Sequence, residues 1–524
     1  MTRDGDIWTC TAAGISAGQR YHLAFKLPNG EEIIRRDPHA RQTEYDGDTC
    51  LVVDPSAFQW TPFTSPPADE IVMYQLQVGS FSDTGDFKGL EAKLDHIAGM
   101  GFTALQLLPV NEFCGSWGYN PRMLFNIMQS YGTPQQLREL VDAAHKKGLA
   151  VIFDTAIHHG SARMNSLWEY DGWAENNNGG IYHEKGADTP YGRQFAFWKE
   201  EVWSMLEQST QMWFEEYNAD GLRLDSIHNV PWKKLQHLTY ELQHRFPGKY
   251  IIAEITPETP DVIRDGGCNS EWIHMSFYDV RKFEGGYRSM NLLKSLVSIH
   301  QGFERPSECI KYFLGSHDQV GCRKNGGYDP SIEGTHRYAA GYYGGRGEWD
   351  ARAKVRMWYS LNAFCAGAPM IFMGAEHCRD DWWHTDEHRM QWGLHDDEIS
   401  TQTIATFTAA NTLRKENMAM RGGGVKFVHE DSDNGILGFL REYDDDKFLV
   451  LINTGGQNFM ASESNAYGVS AGGLGGSFTQ IYNSQAAEFG GWEQSWNREA
   501  VPVSDGRVTV SIPKLSVQVW KLGA

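Results

Sequence analysis

Between residues 70 and 410, short apolar runs alternate repeatedly with amphipathic stretches of helical period. Such alternation restricts the chain to a parallel sheet covered by helices. The apolar runs fall at 72–78, 103–110, 149–154, 221–225, 250–254, 272–277, 310–315 and 369–374. Helical spacing fills 87–100, 135–147, 197–217 and 232–246, and Thr133-Pro134 supplies an N-cap followed by proline in the first turn. Eight strands over about 340 residues fit a closed (β/α)8 barrel, a TIM barrel, with insertions. A doubly wound open sheet shares the alternation, but no Gly-x-Gly-x-x-Gly follows any of these strands. The expected fold class is α/β, a (β/α)8 barrel with smaller β modules at both ends.

The flanks read differently. Residues 1–65 hold short β-like runs (21–26 and 51–53) broken by Gly and Asp turns, and end at Ser65-Pro66-Pro67. After about residue 420, alternating runs at 436–440, 448–452 and 508–512 lack helical period and suggest a C-terminal antiparallel β-sandwich. The expected division is 1–65, 66–415 and 416–524, with an insert in the barrel near 160–196.

Lys and Arg number 47 against 67 Asp and Glu, a net charge of −20. A surface so acidic repels phosphate backbones and anionic lipid, so neither nucleic acid nor a membrane is an expected partner. A neutral substrate is not penalised. Eight cysteines lie scattered without a Cys-x-x-Cys pair, as expected for free thiols in a reducing compartment. The opening Met-Thr-Arg-Asp-Gly-Asp has no apolar stretch and no long apolar run follows, so the expectation is a cytoplasmic chain without a secretory signal or transmembrane span. The 18 Trp and 22 Tyr suit core packing and also the stacking of sugar faces.

In a barrel of this kind, chemistry gathers at the C-terminal ends of the strands. The third run ends in Asp154 with His158-His159 beyond, the fourth in Arg223 and Asp225, the fifth in Glu254, and the seventh leads to His317-Asp318. Asp225, Glu254 and Asp318 should therefore meet on one rim. Metal-assisted hydrolysis is one use for such a cluster, but it usually wants a His-x-His on an early strand, and Met73-Tyr-Gln-Leu-Gln77 offers none. Glycoside chemistry needs a carboxylate to attack the anomeric carbon and a carboxyl to protonate the leaving oxygen. A third carboxylate can support the positive charge of the transition state. This second chemistry fits three acids, one arginine, neutral imidazoles and many aromatics better.

Four segments, Asp154-Thr-Ala-Ile-His-His159, Asp220-Gly-Leu-Arg-Leu-Asp225-Ser-Ile-His228, Ile251-Ile-Ala-Glu254 and Phe313-Leu-Gly-Ser-His317-Asp318, resemble the conserved regions of the α-amylase superfamily (glycoside hydrolase family 13), in order and spacing. Tyr74-Gln-Leu-Gln-Val-Gly-Ser-Phe81, Leu108-Pro-Val-Asn-Glu-Phe113, Phe372-Met-Gly-Ala-Glu376 and Gln480-Ile-Tyr-Asn-Ser-Gln-Ala-Ala-Glu-Phe-Gly-Gly491 look like 1,4-α-glucan branching enzymes. Leu222–His228 and His317-Asp-Gln-Val-Gly321 look more like maltooligosyltrehalose trehalohydrolases. Residues 1–65 resemble a shortened immunoglobulin-like carbohydrate-binding β-sandwich.

The resemblance implies Asp225 as nucleophile, Glu254 as general acid/base and Asp318 as the third carboxylate. It implies that two Arg223 N–H groups hold Asp225 ionised, that His159 and His317 bind sugar hydroxyls, and that Tyr119 stacks beneath the ring. Asp154 orders the site and His228 sits toward the acceptor. Neighbouring carboxylates and burial are expected to raise the pKa of Glu254. Where the family carries asparagine before the conserved histidine, this chain has His158. In the insert, Trp168, Tyr170, Trp173 and Asn176-Asn-Asn178 are expected to line a sugar-binding rim with Trp382-Trp383. The implied partner is an α-1,4-glucan (amylose, glycogen or maltooligosaccharide), with α-1,6 branching as the leading activity. Hydrolysis of the trehalohydrolase type is the alternative, and a non-catalytic glucan-binding protein is the weakest reading. No cofactor is implied; a structural calcium occurs in the superfamily, but no oxygen-rich loop here is specific enough to assign one, and the sequence assigns no metal ligand.

Overall fold

The computed structural model of the chain describes residues 1–5, 7–172, 178–189, 192–321, 336–461, 466–491 and 499–523. Trp173, Asn176, Asn177 and Cys322 lie outside the described residues. Eight parallel strands close into a barrel in chain order: β1 Met73–Leu76, β2 Ala104–Leu107, β3 Ala150–Thr155, β4 Gly221–Leu224, β5 Tyr250–Ala253, β6 Ser270–Ile273, β7 Cys309–Lys311 and β8 Ala368–Phe372. β8 pairs with β1 to complete the ring.

The side-chain period of two decides what faces the axis. Met73, Ala104, Ala150, Ile152, Tyr250, Ile252, Trp272, Ile310, Tyr312, Ala368 and Met370 share one buried apolar cluster that fills the barrel. The intervening residues, among them Tyr74, Leu105, Val151, Leu222 and Ile251, join the larger core beneath the helices. Continuing the inward rows by two residues reaches Gln75, Gln106, Asp154, Arg223 then Asp225, Glu254 and His274. The lower layers are thus apolar and the layer at the C-terminal mouth is polar. At the lower end Gly221 is obligatory, since a Cβ there would lie 2.8 Å from the Cβ and carbonyl oxygen of Tyr250.

The sixth strand differs from its expected span. It runs Ser270–Ile273, and His274–Glu284 is a helix, so the run expected at 272–277 is mostly helical. Its apolar residues Trp272, Ile273 and Phe277 are all buried, and short apolar runs do not separate strand from helix.

Glu271 on β6 is fully buried; it accepts one backbone N–H from Thr259 at 3.0 Å, and its Oε2 meets no donor among the described residues. Burial pushes its pKa up to about 9, the Thr259 N–H opposes this only in part, and Glu258 and Glu254 add to the rise. A carboxyl raised in the fold stabilises it fully below the unfolded value of 4.5, and that contribution is lost as pH rises toward 9. Glu271→Gln keeps the acceptor for Thr259 and removes the ionisation. Thermal melts of Glu271→Gln are expected to fall less steeply than wild type between pH 5 and pH 8, by up to about 1.4 kcal/mol per pH unit.

The N-terminal strands form three small antiparallel sheets: Thr2–Asp4 with Ile7–Thr9, Leu23–Lys26 with Glu32–Arg35, and Arg20–Tyr21, Cys50–Leu51 and Gln42–Thr43 together. Strands of two to four residues cannot hold themselves, and docking does so instead. Buried Arg36 pairs with Glu112 at 2.5 Å. Glu112 also takes Arg122 at 2.9 Å, the Thr43 hydroxyl at 2.6 Å and Asn126 Nδ2 at 3.0 Å. Tyr170 of the insert donates its hydroxyl to the Arg36 carbonyl at 2.7 Å and packs against Phe25.

At the other end, Gly424–Asp431, Ile436–Tyr443, Asp446–Asn453, Ser516–Gly523, Ser477–Asn483 and Val501–Pro502 make a six-stranded antiparallel sheet. Tyr467–Ser470 and Arg507–Val510 form a second sheet, and Ile436, Leu440, Leu451, Val469, Val508, Val510 and Trp520 fill the space between. The segment 480–491 docks this unit on the helix Trp349–Phe364. Tyr482 and Ser360 hydroxyls meet at 2.7 Å, Arg356 reaches the Ser484 carbonyl and Gln485, and Trp349 Nε1 donates to the Gly490 carbonyl. Among the described residues no helix is long and apolar enough to cross a membrane.

Candidate active site

At the C-terminal mouth of the barrel, a cavity of about 160 Å³ is lined by Tyr119, His158, His159, Asp225, Ser226, Glu254, His317 and Asp318. The three expected acids thus come from the ends of β4 and β5 and from the segment after β7 to one cavity. Arg223 and Asp154 lie beneath it. Parallel pairing puts Asp154 beside Arg223, and the strand period puts Asp225 directly above Arg223 on the same inward row.

Arg223 is fully buried and serves three carboxylates. Its Nη1 donates to Asp154 at 2.8 Å and to Asp225 Oδ1 at 2.7 Å, while Nη2 stands 3.5 Å from Glu254. Its guanidinium lies over Trp272, 4.4 Å from the ring centre. Tyr119 donates its hydroxyl to Asp154 at 2.8 Å and stacks on His317 at 5.2 Å. The His317 backbone N–H donates to Gln75 Oε1 at 3.0 Å, and Trp117 packs edge-on against the imidazole. Asp318 lies in the first turn of the short helix His317–Val320, whose cap, Ser316, accepts the Asp318 N–H.

Glu254 is held from two further sides. Ser226, in the left-handed region at φ 48°, aims its N–H at Oε2 at 2.5 Å. His274 Nε2 stands 3.3 Å from Oε1, and its Nδ1 shares a hydrogen bond with the Tyr312 hydroxyl. Neither Ser226 nor His274 was among the expected residues. A sixth strand ending at Ile273 would have put His274 at a strand end, where the barrel rule looks for function.

Three carboxylates around a single buried guanidinium cannot all ionise cheaply. Burial raises the pKa of Asp225 well above the usual carboxylate range, against Arg223, and Glu254, Asp154 and Asp318 add to the rise. Burial also brings Asp154 to about 6. Glu254 goes the other way: burial is outweighed by Arg223, His274 and the Ser226 N–H, which hold it below the normal range. This corrects two expectations. Arg223 gives Asp225 one N–H rather than two because Asp154 and Glu254 share it, and Glu254 is lowered because Arg223, His274 and the Ser226 N–H all face it. Burial brings His158 to about 3 and His159 to about 4, so both rings are neutral at pH 7.

His158 Nδ1 lies 3.9 Å from Asp225 Oδ2, so the residue that departs from the family pattern faces the central carboxylate. His228 is exposed and does not line the cavity; its Nε2 lies 3.2 Å from Asn229 Nδ2. The expected aromatic rim is also redistributed. Tyr170 is buried against the N-terminal strands, and Trp383 is fully buried, with its Nε1 on Ser80 and its ring against Trp117. Trp168 packs with His183 and Arg193, and Trp382 with His388.

Residues 75–178 match the family described as alpha amylase, catalytic domain, and residues 427–523 match alpha amylase, C-terminal all-beta domain. A 1,4-alpha-glucan branching enzyme, GlgB 2, of Xanthomonas oryzae is 26% identical over 558 residues, covering 93% of this chain and 72% of its own. A malto-oligosyltrehalose trehalohydrolase of Saccharolobus solfataricus is 28% identical over 364 residues, 62% of each chain. The crystal structure of a putative alpha amylase from Salmonella typhimurium superposes with a TM-score of 0.72 at 18% identity, over 98% of this chain and 92% of that one.

Proposed function

We propose that this chain, which matches the α-amylase catalytic and C-terminal domains over residues 75–178 and 427–523, is a 1,4-α-glucan branching enzyme working by a retaining mechanism. The observation that carries the reading is the single cavity lined by Asp225, Glu254 and Asp318 with neutral imidazoles at its wall. In this reading the chain divides near residues 65 and 415 into an N-terminal module, a catalytic barrel and a C-terminal β domain.

Asp225 attacks the anomeric carbon of an α-1,4-linked glucose as the carbon–oxygen bond to the leaving chain breaks, and Glu254 gives its proton to that oxygen. Glu254, now a carboxylate, takes the proton of an acceptor 6-hydroxyl, which attacks the same carbon and frees Asp225. The result is an α-1,6 branch. For this step Glu254 must carry a proton while Asp225 is ionised. Positive charge developing on the sugar favours that arrangement by stabilising the Asp225 carboxylate. Asp318 and His317 bind hydroxyls from one side, His159 and His158 from the other, and Tyr119 with Asp154 braces Arg223. His228 lies outward, on the acceptor side.

Likeness over 93% of the chain to a branching enzyme supports transfer. The trehalohydrolase likeness over 62% of the chain keeps hydrolysis of an α-glucan as the second reading. Incubation with amylose separates them. Branching is expected to weaken and shift the iodine colour and to create α-1,6 anomeric signals without a matching rise in reducing ends. A steady rise in reducing ends in proportion to the colour loss would replace transfer with hydrolysis.

A further inference from the structure

Outside the barrel mouth, three histidines distant in sequence converge. His96 lies on the short helix Leu94–Gly99 that follows β1, His377 closes the turn Ala375–His377 after β8, and His395 follows the turn Trp392–Leu394. One ring nitrogen from each falls within 4.8 Å of the other two. His395 Nδ1 and His377 Nε2 face each other at 3.4 Å. That separation is the edge of a tetrahedron whose metal–nitrogen bonds are about 2.0–2.1 Å.

The surroundings hold these rings in place. Trp392 meets all three, with ring centres at 5.1 Å from His96 and 5.7 Å from His377 and His395. His96 Nε2 stands 3.3 Å from the buried Glu376, whose other oxygen accepts the Gly374 N–H at 2.8 Å. Tyr74 on β1 donates its hydroxyl to the same Glu376 oxygen that faces His96. The carbonyl of His377 accepts from Arg346 Nε at 3.0 Å. His395 remains about a third exposed, which leaves a path for an ion.

We propose that His96, His377 and His395 form a binding site for a borderline divalent transition metal, zinc foremost, with the Glu376 carboxylate or a water at the fourth corner. Three imidazoles with a carboxylate alongside select zinc-like ions over calcium or magnesium, which require oxygen cages. None of the three histidines lines the cavity of the three acids, so the role of the site is structural. A bound ion ties the turn after β8 to the helix after β1 and to the Trp392 turn, and so braces the stretch that carries Trp383 behind the cavity wall.

The test is zinc titration by calorimetry of full-length protein stripped with EDTA and passed into metal-free buffer. Wild type is expected to bind one zinc per chain. His395→Ala, at a partly exposed position that tolerates truncation, is expected to bind at least about 100-fold more weakly. His237→Ala, an exposed histidine elsewhere, is expected to bind as wild type does. Cobalt in place of zinc is expected to show the intense visible bands of a four-coordinate site in wild type and not in His395→Ala. Equal zinc binding by wild type and His395→Ala, or no binding by wild type, overturns the proposal. Amylose turnover of the same samples shows separately whether the barrel mouth is working.

Discussion

Asp225→Asn is expected to lower turnover on amylose by about 10⁴-fold or more while leaving the melting temperature at or above that of wild type. The amide oxygen can keep the hydrogen bond from Arg223 Nη1, now 2.7 Å long, so the cavity keeps its shape. What disappears is the proposed nucleophile and with it one of the carboxylates that crowd a single guanidinium. Removing a buried group that resists ionisation relieves the cluster, whereas removing the attacking oxygen stops the first bond change. Side-by-side measurement of kcat and of thermal melts reads both effects. Turnover near the wild-type rate would take the nucleophile's role away from Asp225.

Arg223→Leu is expected to give the largest loss of stability of any single change at the site, about 3–5 kcal/mol at pH 7–8, because Asp154, Asp225 and Glu254 lose their common cation. The loss depends on pH with a definite sign. Without Arg223 the folded-state pKa values of Asp154 and Asp225 rise further above their unfolded values, and Glu254 loses the cation that holds it below its own. Stability contributed by such groups is present at low pH and lost as pH rises through the folded values. The variant should therefore be weakest near pH 8 and recover much of the difference near pH 5. Melts at both pH values check this, and a pH-independent difference from wild type would mean that Arg223 is not the shared counter-charge. Arg223→Lys keeps a charge but cannot reach three carboxylates from one point, so only partial rescue is expected.

Much of this site was legible in the sequence because strand period and barrel topology are simple rules. Gly221, Arg223 and Asp225 on alternate positions, with Tyr250, Ile252 and Glu254 beside them, could only send the last polar residues to the same mouth. The parts that were not legible depend on contacts between distant segments. His274 was hidden by a helix that begins where an apolar run suggested more strand. The depression of Glu254 required Ser226 and His274 to be in place together. Trp383 and Tyr170 looked like exposed aromatics in loops, but both are buried. The segment 480–491, which carried part of the likeness to branching enzymes, packs against the helix Trp349–Phe364 and belongs to the joint between β domain and barrel rather than to the chemistry. His96 and His377 meet only because β8 closes against β1, which no local pattern announces.

The pairing of Arg36 with Glu112 has a consequence for how the front of the chain should be regarded. Glu112 also grips Arg122, three residues beyond Tyr119, so its charge is neutralised partly from the N-terminal segment and partly from the loop that carries Tyr119. The first sixty residues are thus a keystone rather than an appendage: a shortened front end would take Arg36 and the Thr43 hydroxyl from buried Glu112 and leave Arg122 as its one remaining cation among the described residues.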